Sequence, residues 1–344
     1  MTVLQIVRRA VSGAAFVALA ACPLAATAQE VNLYTTRETG LIQPLLDAFS
    51  KSTSIKVNAI FVKDGLIERV KAEGPNSPGD VLMTVDFGGL IDAVAQGVTQ
   101  PVRSEALAAA IPANLRDPDG HWYALSLRAR LVYASKDRVP LTAITYEELA
   151  DPKWKGKICI RSGQHPYNTS LIAAYIARYG EANAEAWLRG VKANLARKAT
   201  GGDREVARDI LGGICDLGVG NSYYVGLMRS GKGGPDQLKW GAAINPLLPT
   251  FKGGGTHVNI SGAAIAKHAP NKANALKLLE YLVSNEAQSL YARVNYEYPV
   301  RNGAAVEPII ASFGTLKPDS LDLVAIAKNR KLASILVDKV GFNN

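Results

Sequence analysis

Three tyrosines stand where their hydroxyls could act together. Tyr223 and Tyr224 are adjacent and follow the apolar run 216–219, with Asn221 and Ser222 as the N-cap of a helix that begins on them. Tyr167 stands in the same relation to the run 157–161, just ahead of Asn168, whose side chain would cap a helix over 169–179. In open parallel sheets, ligands bind beyond the carboxyl ends of the strands, and helix N-termini there present N–H groups to anions. A free phenol titrates near about 10 and is a neutral donor in water. A hard trivalent cation reverses this, because metal binding drives deprotonation and phenolate oxygen is a hard donor. Three phenolates would cancel the charge of Fe(III). A further carboxylate or exogenous anion would make the site negative and require an arginine. Arg37, Arg128 and Arg130 are the candidates, the last two spaced to share one face of a strand. On spacing alone the tyrosines also fit half-buried packing aromatics, and the arginine pair a solvated strand face.

Other chemistry finds little support. The four histidines, His121, His165, His257 and His268, show no zinc-site spacing, and neither a Gly-x-Ser-x-Gly elbow nor a Walker A motif is present. Gly253, Gly254 and Gly255 precede an extended run rather than a helix, so they read as a turn and not as a dinucleotide loop. A hydrolase using Glu38 or Asp86 as general base would lack a nucleophile, a metal pair and a second positioned carboxylate. The residues therefore point to a binding protein and not to an enzyme. Asn168 and Asn259 head Asn-x-Ser/Thr sequons that read as chance.

The elements that must position these side chains alternate between short apolar runs and helical stretches, an α/β pattern with mostly parallel strands. Strands are predicted over 31–34, 55–61, 80–85, 131–134, 157–161 and 216–219. Helices are predicted over 41–50, 64–72, 87–96, 146–150, 169–179, 187–196, 206–212, 223–229, 272–284 and 286–291. Between the glycine clusters at 231–234 and 253–255 lies an apolar segment with Pro235, Pro246 and Pro249, which reads as a crossing between lobes rather than a packed strand.

The chain has 344 residues, enough for two lobes or one large domain, and 48% of them are hydrophobic, which excludes an intrinsically disordered chain. Past the first thirty residues no uncharged apolar run reaches the roughly 18 needed to span a bilayer, which excludes a multispanning protein. At the start, Arg8 and Arg9, an uncharged run over 10–22 and Ala26-Thr27-Ala28 form the three parts of a secretory signal cleaved after Ala28. An alternative reading places a lipid anchor on Cys22, within Leu19-Ala20-Ala21-Cys22. Cleavage removes two arginines and lowers the formal charge from +9 to +7. With no basic run or aromatic-basic stripe left, the charge does not indicate nucleic acid. The remaining Cys159 and Cys215 are an even pair in an exported chain, which favours a disulfide over two buried thiols.

Four stretches carry a resemblance to a known family: residues 221–228 (NSYYVGLM), 165–171 (HPYNTSL), 127–133 (LRARLVY) and 255–262 (GTHVNISG). They resemble the periplasmic ferric-ion-binding proteins of bacterial iron ABC transporters, and 151–157 (DPKWKGK) recurs across the wider binding-protein group. The resemblance spans the mature chain. It implies the α/β class II periplasmic binding protein fold, with two lobes joined by crossing hinge strands and a ligand cleft between them. The first lobe would hold 29–130 and 245–305, the second 131–244 and 306–344, after a signal peptide over 1–28. Tyr167, Tyr223 and Tyr224 would then be phenolate ligands to Fe(III), all on the second lobe. Where members of the family have a His-Tyr pair or a similar metal-binding residue after the first strand, this chain has Glu38 and Thr39. Either Glu38 supplies a carboxylate, or a carbonate-like anion held by Arg37, Arg128 or Arg130 completes the coordination. The implied partner is an inner-membrane ABC permease, and the implied state a periplasmic monomer. A protein of the same fold that binds a small anion mainly through its arginines is the alternative.

Overall fold

Glu30–Thr35 (β1) and Lys56–Phe61 (β2) pair in parallel because the helix Thr39–Thr53 between them carries the chain back. Its Ile42, Leu45, Leu46 and Phe49 recur at helical spacing and are all buried against the sheet. Val81–Thr84 (β3) joins β1 in parallel, and the helix Phe87–Ala95 follows it. These elements, Thr99–Gln100 (β4), and the second lobe are described here from a computed structural model that covers residues 29–344. The signal segment and Cys22 lie outside the described residues. Among the described residues no helix is long and apolar enough to cross a membrane.

Trp122–Ser135 (β5) organises the molecule. All fourteen residues are buried. Trp122 to Ala129 pair with Val258–Ala266 (β9), whereas Arg130 to Ala134 pair with Leu217–Asn221 (β7) and Val132 to Ser135 with Ile244–Leu247 (β8). Ile158–Cys159 (β6) flanks β7 in parallel, and Tyr298–Pro299 (β10) pairs with Ser126 and Leu127. The strand order is β2-β1-β3-β9-β5-β7-β6. One strand thus runs from the first half of the sheet into the second at Ala129–Arg130, and one hydrophobic core continues through both.

Three expectations need correction. The sheet is mixed: β1, β2 and β3 are parallel, as are β6 and β7, but every pairing of β5 and β9 is antiparallel. The segment between the glycine clusters is a helix, Pro235–Ala242, followed by β8. Pro235 starts that helix, where its missing N–H costs nothing, and Pro246 is tolerated because β8 pairs on one side only. The pairing of β8 also keeps the chain in the second half of the sheet past residue 245, until β9 returns it to the first. The disulfide is present: Cys159 on β6 is bonded to Cys215 just before β7, with Cα atoms 5.8 Å apart.

Candidate functional site

Two helix N-termini, each following a short strand, bring the three phenols together. The first helix, Pro166–Tyr179, begins after β6, with Pro166 in its first turn and His165 at the N-cap. His165 Nδ1 accepts the Tyr167 backbone N–H at 3.2 Å, and the His165 ring lies edge-on to the Tyr167 ring at 4.5 Å. Burial, with Arg161 nearby, lowers the His165 pKa to about 4, so it holds this acceptor role across the neutral range. The cap is therefore His165 and not Asn168. Asn168 is buried and donates to the carbonyls of Arg161 and Ser162 while its oxygen accepts from Arg130.

The second helix, Ser222–Arg229, starts directly after β7 and carries Tyr223 and Tyr224 in its first turn. Their ring centroids are 4.1 Å apart. Gly226 lets this helix lie against Tyr296, since a Cβ at Gly226 would collide with the Tyr296 side chain. Tyr167 Oη and Tyr223 Oη are 3.4 Å apart. Burial pushes the Tyr223 phenol well above its ordinary value, and Tyr167 and Tyr224 add to the rise. Tyr224 is raised by burial and then by Tyr167. Phenols this close cannot share negative charge unless a cation lies among them. Among the described residues no group of three or more His, Cys, Asp and Glu could hold a metal ion. Cavities of about 650 and 520 Å³ lie elsewhere, the latter lined by Leu127, on the opposite face of β5 from Arg128. Donor chemistry marks the site better than empty volume does.

The arginines divide. Arg130 is buried and bonded to Asp203 Oδ2 at 2.6 Å, to Asn168 Oδ1 at 2.6 Å and to Asn221 Oδ1 at 3.0 Å. Arg37 is likewise buried and paired with Glu297 at 2.8 Å, with Ser261 as a further acceptor. The Glu297 carboxylate, against the opposing effect of burial, raises the Arg37 pKa. Both guanidiniums are thus neutralised by protein carboxylates. Arg128 makes no ion pair among the described residues, although the Glu297 charge acts on it against the effect of burial: it donates to the carbonyls of Val85 and Ile260, and its Cζ lies 5.6 Å from the Tyr167 ring centroid. Arg128 and Arg130 do reach the same place, the start of the helix bearing Tyr167, as their two-residue spacing requires. Glu38 is exposed at the start of Thr39–Thr53, and no hydrogen bond or ion pair joins it to a tyrosine. Asp86 caps the helix Phe87–Ala95 through Gly88 N–H at 2.8 Å and binds Asn259 at 2.5 Å, which leaves it a structural carboxylate.

Two guanidiniums at the tyrosines escaped the sequence reading. Arg161 Cζ lies 5.2 Å from the Tyr167 ring centroid, and Arg204 Cζ lies 5.2 Å from that of Tyr224. Arg161 shares Asp203 with Arg130, at 3.3 Å from Oδ1, whereas Arg204 has no ion pair among the described residues. Arg161 ends the predicted run 157–161, so the strand-end rule that selected Tyr167 also marks it. Arg204 opens the helix Asp203–Leu211, one residue after the buried acid, and spacing alone does not mark it.

Residues 76–315 match the family described as bacterial extracellular solute-binding proteins. Iron uptake protein A1 of Synechocystis sp. is 41% identical over 316 residues, 91% of this chain and 88% of that protein. The Bordetella ferric binding protein is 66% identical in a solved structure that covers 92% of this chain and 100% of its own, with TM-score 0.88. The Trichodesmium protein solved with iron and citrate ligands is 44% identical, covering 91% of this chain and 99% of its own, with TM-score 0.87. These relatives are binding and transport proteins, and the solved ones share the two-lobed α/β architecture. The chain belongs to the bacterial extracellular solute-binding protein family, in the branch that holds the ferric iron-binding proteins.

Proposed function

We propose that this protein captures Fe(III) as cargo through Tyr167, Tyr223 and Tyr224 and delivers it to an inner-membrane ABC permease. The convergence of three phenols from two helix N-termini, with Tyr167 and Tyr223 hydroxyls 3.4 Å apart, carries the reading. In the ion-free protein Tyr223 and Tyr224, both raised by burial, are neutral donors. The ferric charge displaces their protons, and three phenolates neutralise it. A carbonate-like anion completes the coordination, with Arg128, Arg161 and Arg204 facing it. Glu38 is the alternative ligand, carried in as the first lobe closes over the second. The protein acts in the periplasm as a monomer, after removal of its signal, and neither catalyses a reaction nor binds nucleic acid. The anion-carrier alternative is weaker because Arg37 and Arg130, two of its intended contacts, are neutralised by Glu297 and Asp203.

Titration of the ion-free protein with ferric salt, with and without bicarbonate, tests the reading. A visible phenolate-to-iron absorption should develop to one equivalent, and Glu38→Gln should leave it intact when the anion is the remaining ligand. A colourless titration with no thermal shift would sink the reading.

A further inference from the structure

Away from the tyrosines, the helix Phe87–Ala95 of the first half meets the other half through the helix Leu323–Lys328 and through one arginine. Arg330 begins the helix Arg330–Lys339, and its Nη1 lies 3.1 Å from Asp92 Oδ2, with Nη2 3.9 Å from Asp86 Oδ1. Asp86 caps the helix Phe87–Ala95 and Asp92 lies within it, and that helix packs on β3 and β9 in the first half. Arg330–Lys339 belongs to the other half. It packs on Pro166–Tyr179, and the chain around it grips the turn that leads to Tyr167: Gln164 binds Ser334 and Asp338, and Gly163 N–H donates to Asn343.

Gly88 makes the contact possible. It lies one turn before Asp92, on the same helix face, and a Cβ there would fall inside the Arg330 guanidinium. A guanidinium is unfavourable at a helix N-terminus, where the macrodipole is positive, unless acids offset it. Asp86 at the cap and Asp92 one turn on supply that offset. The residues just before Gly88 are also tied to the hinge strands, through Arg128 to the Val85 carbonyl and Asn259 to Asp86.

We propose that Arg330, seated on Gly88 between Asp86 and Asp92, is an interlobe clasp that biases the protein towards its closed arrangement and slows release of the ion. The clasp consists of protein groups alone, so it acts before cargo arrives. It is partly exposed, with Arg330 at 27% and Asp92 at 56%, and so is a weak, salt-sensitive bias that leaves opening accessible.

The test compares the mature protein with Arg330→Ala and Gly88→Ala. Gly88→Ala removes no charge and, by helix propensity alone, should stabilise its helix, so a loosened molecule would point to the lost seat of Arg330. Both variants should enlarge the radius of gyration of the ion-free protein in small-angle scattering at low salt. Both should also release Fe(III) to an excess chelator about fivefold faster, with the absorption maximum of the complex unchanged. The double variant should be no worse than either single one, because the two changes break the same contact. The release measurement rests on the Fe(III) reading, whereas scattering does not, so failure of the one is distinguishable from failure of the other. An unchanged radius of gyration in Gly88→Ala overturns the clasp, provided its circular dichroism confirms the fold.

Discussion

Asp203 binds Arg130 through one carboxylate oxygen at 2.6 Å and Arg161 through the other at 3.3 Å, and it also accepts the backbone N–H of Asn221. One buried acid therefore holds β5, the end of the β6 strand run and the start of the tyrosine-bearing helix in fixed relation. Removing Arg130 leaves the buried Asp203 with only the longer Arg161 contact and the Asn221 N–H, so Arg130→Ala should cost stability, by less than the about 3–5 kcal/mol of a buried charge left wholly unpaired. Thermal denaturation of the ion-free protein measures it. A change confined to anion affinity, with the melting temperature unmoved, would return Arg130 to the role of anion contact.

Tyr223→Phe keeps the ring and deletes the hydroxyl of a residue only 8% exposed, so the fold should persist. Ferric affinity should drop by more than about 100-fold, the upper end of what even outer-shell changes cause at metal sites. Competition against a chelator measures it, and a loss below tenfold would exclude Tyr223 as a ligand.

Capture should release protons. Burial and the neighbouring phenols hold Tyr223 and Tyr224 above the ordinary phenol value, so each enters coordination by losing a proton. Calorimetry in buffers of different ionisation enthalpy should count about three protons per ion near pH 7, with affinity falling as the pH drops. Release of fewer than two would reject the phenolate set.

The same raised values set an alkaline limit on the ion-free fold. Below pH about 10 both folded and unfolded chains keep these phenols protonated, and the contribution to stability is complete. Above it the unfolded chain loses protons that folded Tyr223 and Tyr224 retain, so stability should fall as pH rises. Melting temperatures on either side of that pH check the sign.

Cys159 and Cys215 are 56 residues apart in sequence, and closing that loop stabilises by about 4 kcal/mol in the chain-entropy model. Reduction, or a double serine variant, should lower the melting temperature and leave the ferric absorption band in place. Alkylation of the unreduced protein at either cysteine would show the bond absent in solution.

The first half of the fold was legible because its strands and helices alternate locally, each apolar run ending where a helix period begins. The clustering of Tyr167 with Tyr223 and Tyr224 was legible for the same reason, since each follows the end of a strand in that alternation. The antiparallel hinge was not: β5 pairs with β9 across more than a hundred residues, and its stretch 122–130 mixes Ser, Arg and apolar residues on a strand buried along both faces. The acids that neutralise the arginines were equally hidden. Glu297 lies 260 residues from Arg37 and Asp203 lies 73 from Arg130, separations at which no periodicity in the chain connects a charge to its partner.

β5 belongs to both halves of the sheet, passing from β9 to β7 between Ala129 and Arg130 without a break. Neither half is a contiguous stretch of chain, and neither can melt without stripping hydrogen bonds from a strand the other needs. Heat should therefore dismantle the molecule in one cooperative step, with calorimetric and van't Hoff enthalpies in agreement, although its architecture has two lobes.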